Sequence, residues 1–163
     1  MTVINFLKCL KYFAEVTVIF TLPNSDLNTD KLTKIINDYK KKNKNFYVFK
    51  SLGIVDYLSV MNFCDVVIGN SSSGIFETPS FKKPTVNIGN RQLGRIKAKN
   101  IIDSKCTFLS ILKSIKYAMS ENFKKKINNV KNPYYKKDTS LKIFKRISKL
   151  NLYKRLNKEF VDI

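Results

Sequence analysis

A chain of 163 residues with 44% hydrophobic and 12% aromatic residues can build one core of its own, which excludes general disorder and supports a single domain. It carries a formal charge of +19 and no histidine, so a Ser-His-Asp triad and histidine metal ligation are both excluded. Only four of the 31 basic residues are arginine; lysine scattered among asparagines reads as a solvated face rather than a nucleic-acid surface, which needs arginine forks and interleaved aromatics.

The predicted elements begin with a helix, from apolar positions at Val3, Ile4, Leu7, Leu10 and Phe13 or Ala14. Residues 16–20 form an uninterrupted β-branched and aromatic run, as expected of a strand covered on both faces, and Pro23-Asn24 ends it. Leu32, Ile35, Ile36 and Tyr39 then give an i, i+3, i+4, i+7 stripe for an amphipathic helix. Residues 46–49 read as a short strand, residues 57–63 as a helix, and residues 65–69 as a buried strand running into a polar turn. A short helix follows Ser73 and ends near residues 81–84, and residues 85–88 are a further strand closed by Gly89. Residues 108–119 and 141–150 are predicted helices. This alternation predicts an α/β fold with a Rossmann-like parallel sheet flanked by helices. Residues 1–150 are expected to form one folded lobe and residues 151–163 a basic tail.

Cys9, Cys64 and Cys106 are odd in number and have no metal spacing, so free thiols in a reducing compartment are expected, with no metal. There is no apolar run of about 18 residues and no leader pattern. The expectation is a cytoplasmic protein without a membrane partner.

Two segments carry chemistry. Gly69-Asn70-Ser71-Ser72-Ser73-Gly74-Ile75-Phe76-Glu77 follows a buried strand and opens a helix, the edge of a doubly wound sheet where ligands bind. The hydroxyls of Ser71, Ser72 and Ser73 and the free amides of the helix's first turn, with Gly74 letting the backbone come close, are expected to point toward one ligand, where an anion such as phosphate is stabilised by the positive end of the helix. Glu77 cannot hold phosphate but can accept hydrogen bonds from the vicinal diol of a ribose. The bland reading is that Ser71 or Ser72 caps the helix and Glu77 is an ordinary early-turn acid. The second segment, Gly89-Asn90-Arg91-Gln92-Leu93-Gly94-Arg95, holds two of the four arginines in one glycine-flanked loop. Planar bidentate donors suit phosphate oxygens; the alternative is a surface loop with two solvated arginines.

The run from Asp65 to Asp103, with these segments, Pro79-Ser80-Phe81 and Pro84-Thr85-Val86-Asn87-Ile88-Gly89, resembles the hydrolysing UDP-N-acetylglucosamine 2-epimerases of sialic acid and capsule-sugar biosynthesis. Pro23-Asn24-Ser25-Asp26 resembles an earlier turn of the same family, so the likeness covers about residues 15 to 150. Non-hydrolysing relatives usually carry an acid where Asn70 stands, which favours the hydrolysing branch. The resemblance implies the C-terminal half of a glycosyltransferase-B-type epimerase fold, lacking its N-terminal lobe and the opening strand of this one.

It further implies that Ser71 and Ser72 hold phosphate oxygens, Glu77 the ribose, and Arg91 the phosphates or a closure contact. Leu52 borders the uracil, Asn24 faces the cleft, and Ser73, Gly74 and Arg95 have weaker roles. The implied ligand is UDP-GlcNAc or UDP, without a cofactor, and the products are N-acetylmannosamine and UDP. No residue matches the family's catalytic carboxylates, so none of the catalytic residues is expected in this lobe. The implied partner is a separately encoded N-terminal lobe, with a homo-oligomer compatible. Competing readings are an inactive remnant, a glycosyltransferase C-terminal lobe and, least favoured, a lysine-rich nucleic-acid-binding protein.

Overall fold

The computed structural model describes residues 2–13, 15–22 and 29–150. The chain divides into two compact units, Met1–Pro133 and Tyr134–Ile163. The first opens on helix α1 (Thr2–Leu10), followed by strand β1 (Val18–Thr21), helix α2 (Thr29–Lys42) and strand β2 (Phe46–Phe49). Helix α3 (Gly53–Phe63) leads into strand β3 (Val67–Gly69), the single-turn helix α4 (Ser73–Phe76) and a 3-10 turn at Thr78–Phe81. Strands β4 (Thr85–Ile88) and β5 (Ile101–Ser104), and helices α5 (Phe108–Met119) and α6 (Glu121–Ile127), complete it. In the second unit, helix α7 (Thr139–Ile147) presents Leu141, Ile143, Phe144 and Ile147 as exposed side chains.

All strand pairs are parallel, as the alternation of elements requires. They form two sheets rather than the one expected, in the orders β1-β2 and β3-β4-β5.

Each sheet has its own apolar core, and α1 serves both. Leu7 joins Ile36 of α2 and Phe46 of β2, with Phe20 and Tyr39 packed against them; the Tyr39 and Phe46 rings meet edge-on at 5.0 Å. Cys9, two residues on and so on another side of the helix, lies with Val86, Ile88, Ile111, Ile115 and Ala118. Strand β4 is central in its sheet and buried throughout, so its run of Thr, Val, Asn and Ile needs partners for both polar side chains. Asn87 finds one in Asp103 on β5, donating at 2.7 Å.

Other departures from expectation are local. Strand β5 and helix α6 were not anticipated, and the single helix expected after Ser73 is broken at Glu77, which closes α4 and opens the 3-10 turn. Pro79 has no N–H to continue an α-helical ladder, which explains the break. Helix α3 begins at Gly53, earlier than residue 57, and α7 spans Thr139–Ile147 instead of residues 141–150.

Candidate functional site

The serine turn is built on a buried polar scaffold. Thr78 donates to the Gly74 carbonyl at 2.8 Å, Thr85 donates to Thr78 at 2.7 Å, and Asn100 Nδ2 reaches Thr78 at 3.1 Å and the Lys83 carbonyl at 2.8 Å. All three residues are at most 2% exposed. Gly74 allows the close approach: a Cβ there would stand 3.2 Å from Thr85 Cγ2. Helix α4 is thereby fixed to the start of β4 from beneath.

On the outer side a hydroxyl relay runs into a carboxylate. Ser73 Oγ donates to Glu77 Oε2 at 2.6 Å. That uses the only proton of the serine hydroxyl, so Tyr57 of α3, 2.7 Å away, donates to Ser73. Glu77 is half-buried and keeps its second oxygen for other donors. Ser71 Oγ accepts weakly from the Ser73 amide at 3.3 Å. Ser72 stands at the N-cap of α4 but makes no capping bond with its side chain, and its hydroxyl has no partner among the described residues.

The arginine loop is bound to this turn. Gln92 Nε2 donates to the Asn70 backbone oxygen at 2.7 Å, and the Arg95 guanidinium lies 4.9 Å from the centroid of the Phe76 ring. Gly89, at φ +84, starts the loop in a left-handed conformation with Cys106 Sγ 3.1 Å from where a Cβ would be. Beyond the loop, Lys97 Nζ holds both oxygens of Asp103 at 2.8 and 2.7 Å. Partial burial alone would raise the Asp103 pKa, but hydrogen bonds from Lys97 and Asn87 and the Lys97 charge outweigh it and hold the carboxyl below its usual range. Arg91 is exposed and has no hydrogen-bond or ion-pair partner among the described residues.

The structure therefore brings Ser71, Ser72, Ser73, Gly74 and Glu77 into one turn, and Gln92 and Arg95 tie the loop carrying Arg91 to it. Leu52 is half-buried at the N-cap of α3, the helix whose Tyr57 touches the turn. Asn24 lies outside the described residues. Tyr57, Gln92, Lys97 and Asp103 were not singled out as site residues from sequence; the signal available for Gln92 was an amide between arginines in a glycine-flanked loop. The cysteines are unpaired, and burial pushes the thiols of Cys9 and Cys64 up, away from thiolate reactivity. Among the described residues no group of three potential ligands is placed to hold a metal, and no helix is long and apolar enough to cross a membrane.

Parallel sheets flanked by helices, with a serine turn and an arginine loop at adjacent strand ends, define a partial Rossmann-like fold of the type that binds nucleotides. The chain belongs to the UDP-N-acetylglucosamine 2-epimerase family, which it matches over residues 1–148. It is 40% identical over 159 residues to the GDP/UDP-N,N'-diacetylbacillosamine 2-epimerase (hydrolyzing) of Campylobacter jejuni, covering 96% of this chain and 41% of that protein. It is 32% identical over 144 residues to the polysialic acid biosynthesis protein P7 of Escherichia coli, covering 88% and 36%. The chain thus spans about two fifths of the length of these curated relatives.

Among solved structures, S. aureus MnaA with UDP matches with a TM-score of 0.74 at 14% identity, over 98% of this chain and 43% of that one. The Neisseria meningitidis UDP-GlcNAc 2-epimerase bound to UDP-GlcNAc matches with a TM-score of 0.67 at 18% identity, over 91% and 40%. Both likenesses concern the fold.

Proposed function

We propose that this chain is the UDP-binding lobe of a hydrolysing UDP-N-acetylglucosamine 2-epimerase. The observation that carries the reading is the bond from Gln92 to the Asn70 carbonyl, which joins the serine turn to the loop bearing Arg91, an arginine with no partner among the described residues. In this reading Ser71, Ser72 and Arg91 take the diphosphate, with Ser73, Gly74 and Arg95 supporting the turn. Glu77, oriented by Ser73, accepts from the ribose hydroxyls. Leu52 lies beside the uracil and Asn24 at the cleft.

The proposed reaction breaks the C1–O bond of UDP-N-acetylglucosamine as the C2 proton is removed, and water then adds to give N-acetylmannosamine and UDP. This lobe lowers the barrier by stabilising charge on the departing diphosphate with preorganised donors. Proton transfer falls to the other lobe of the fold: the chain has no histidine, and Glu77 is engaged by Ser73. The Campylobacter relative is named for a diacetylated sugar, so the choice of sugar rests on side chains facing it across the cleft. The setting proposed is sialic acid or related capsule-sugar synthesis in the cytoplasm.

Calorimetric titration of the folded chain with UDP tests the reading, together with an assay for UDP release from UDP-N-acetylglucosamine. Saturable heat with UDP and no release by the chain alone are expected. A folded sample that gives no heat overturns the nucleotide site; release without another lobe overturns the division of labour.

A further inference from the structure

Gln92 sits between two exposed residues, Arg91 and Leu93, yet is itself 2% exposed. Its Nε2 donates to the Asn70 carbonyl across 22 positions of sequence. Its Oε1 is buried with no hydrogen-bond partner among the described residues. An amide buried with one half unpartnered is less favourable than a methionine or leucine of similar volume. The bond to Asn70 is therefore what separates this glutamine from apolar filler.

That bond acts on a peptide plane. No described peptide is cis, and in a trans peptide the carbonyl and the next N–H point in opposite directions within one plane. With the Asn70 oxygen drawn inward to Gln92, the N–H of exposed Ser71 faces away from the buried amide. Other contacts hold this region, among them Arg95 over Phe76 and, just past the loop, Lys97 on Asp103. Neither acts on the Asn70 peptide.

The geometry points to Gln92 as a positioning residue: its amide sets the Asn70 to Ser71 peptide plane and the Arg91 loop together, so that the Ser71 N–H and the Arg91 guanidinium serve one phosphate group. The inference rests on the nucleotide reading above and extends it to a side chain that does not itself touch the ligand. It makes the arginine loop and the serine turn one unit, in which displacement of either withdraws a donor from the other.

The test compares UDP with uridine, which lacks phosphate, in calorimetric titrations of the full chain and of Gln92→Met. The variant should bind UDP about tenfold or more weakly, the effect of one displaced phosphate donor, with uridine binding unchanged. Unchanged UDP affinity overturns the inference and leaves the nucleotide reading standing. Equal losses for UDP and uridine mean general loosening and also overturn it. A folded wild-type chain silent to UDP removes the nucleotide reading and this inference with it. Should Gln92→Met not fold, amide exchange in the wild-type chain decides: the Ser71 N–H should exchange freely without UDP and slow on saturation. A chain that binds UDP without slowing Ser71 refutes the role of Gln92 alone.

Discussion

Glu77 meets any ligand already hydrogen-bonded to Ser73, which is itself steadied by Tyr57. A carboxylate held this way has one oxygen aimed and the other available, a good arrangement for a diol. Charge-assisted hydrogen bonds contribute about 1.5–3 kcal/mol, or roughly ten- to hundredfold in affinity. Glu77→Ala and Arg91→Ala should each lower UDP affinity in that range, while Lys40→Ala, at an exposed position of α2, leaves it unchanged. Equal losses in all three would mean that the charge of +19 attracts UDP without a site. Asp103 offers a pH test. Its folded pKa lies below the unfolded value of about 3.9, so its contribution to stability is present above that pH and is lost as the pH falls through the folded value. Urea unfolding from pH 6 down to about pH 2 should show a decline that is shallower in Asp103→Asn; matching curves would show that the Lys97 pair contributes nothing measurable, as exposed pairs can. The serine turn was legible in sequence because glycine, serines and an apolar strand are contiguous there. Gln92, Tyr57 and the Asn87, Asp103 and Lys97 cluster were not, because their partners are 6 to 22 positions away.

At the level of elements, periodicity served where one face is apolar and failed where burial is partial. Helix α2 was plain from its stripe. Strand β5 has two isoleucines followed by Asp103 and Ser104, and reads as polar because Asp103 turns outward to Lys97. Helix α6 was hidden by its lysine run, although Phe123 and Ile127, four residues apart, are its buried side and the Ser120 hydroxyl caps it by accepting from the Phe123 N–H. The turn at Gly89 bears directly on the site, since it launches the arginine loop. Gly89→Ala combines a left-handed backbone with a Cβ 3.1 Å from Cys106 Sγ and should destabilise by about 1–2 kcal/mol. Gly69→Ala, with open space around its Cβ, should stay within about 0.5 kcal/mol. Chemical denaturation of both variants measures this, and comparable losses would remove the claim that the loop's launch is conformationally special.

For the whole molecule, alternation of strand and helix was enough to identify parallel pairing, while the number of sheets was not legible, since no local pattern reports which strands become neighbours. The charge is likewise a surface property: among the described residues three lysine–carboxylate pairs occur, and two of them join residues three apart, one pair on α2 and one on α6. Most of the other described lysines are exposed.

The division into two sheets has a consequence for how the chain behaves in company. Among the described residues strands β1 and β3 each pair on one side only, leaving a row of amides and carbonyls that another extended segment can extend by zippering on. Val18 and Phe20 pack against a core while Ile19 is 42% exposed, so the outer face of β1 beside that border carries an apolar side chain. Such a border accepts an extended segment of matching length that reaches it.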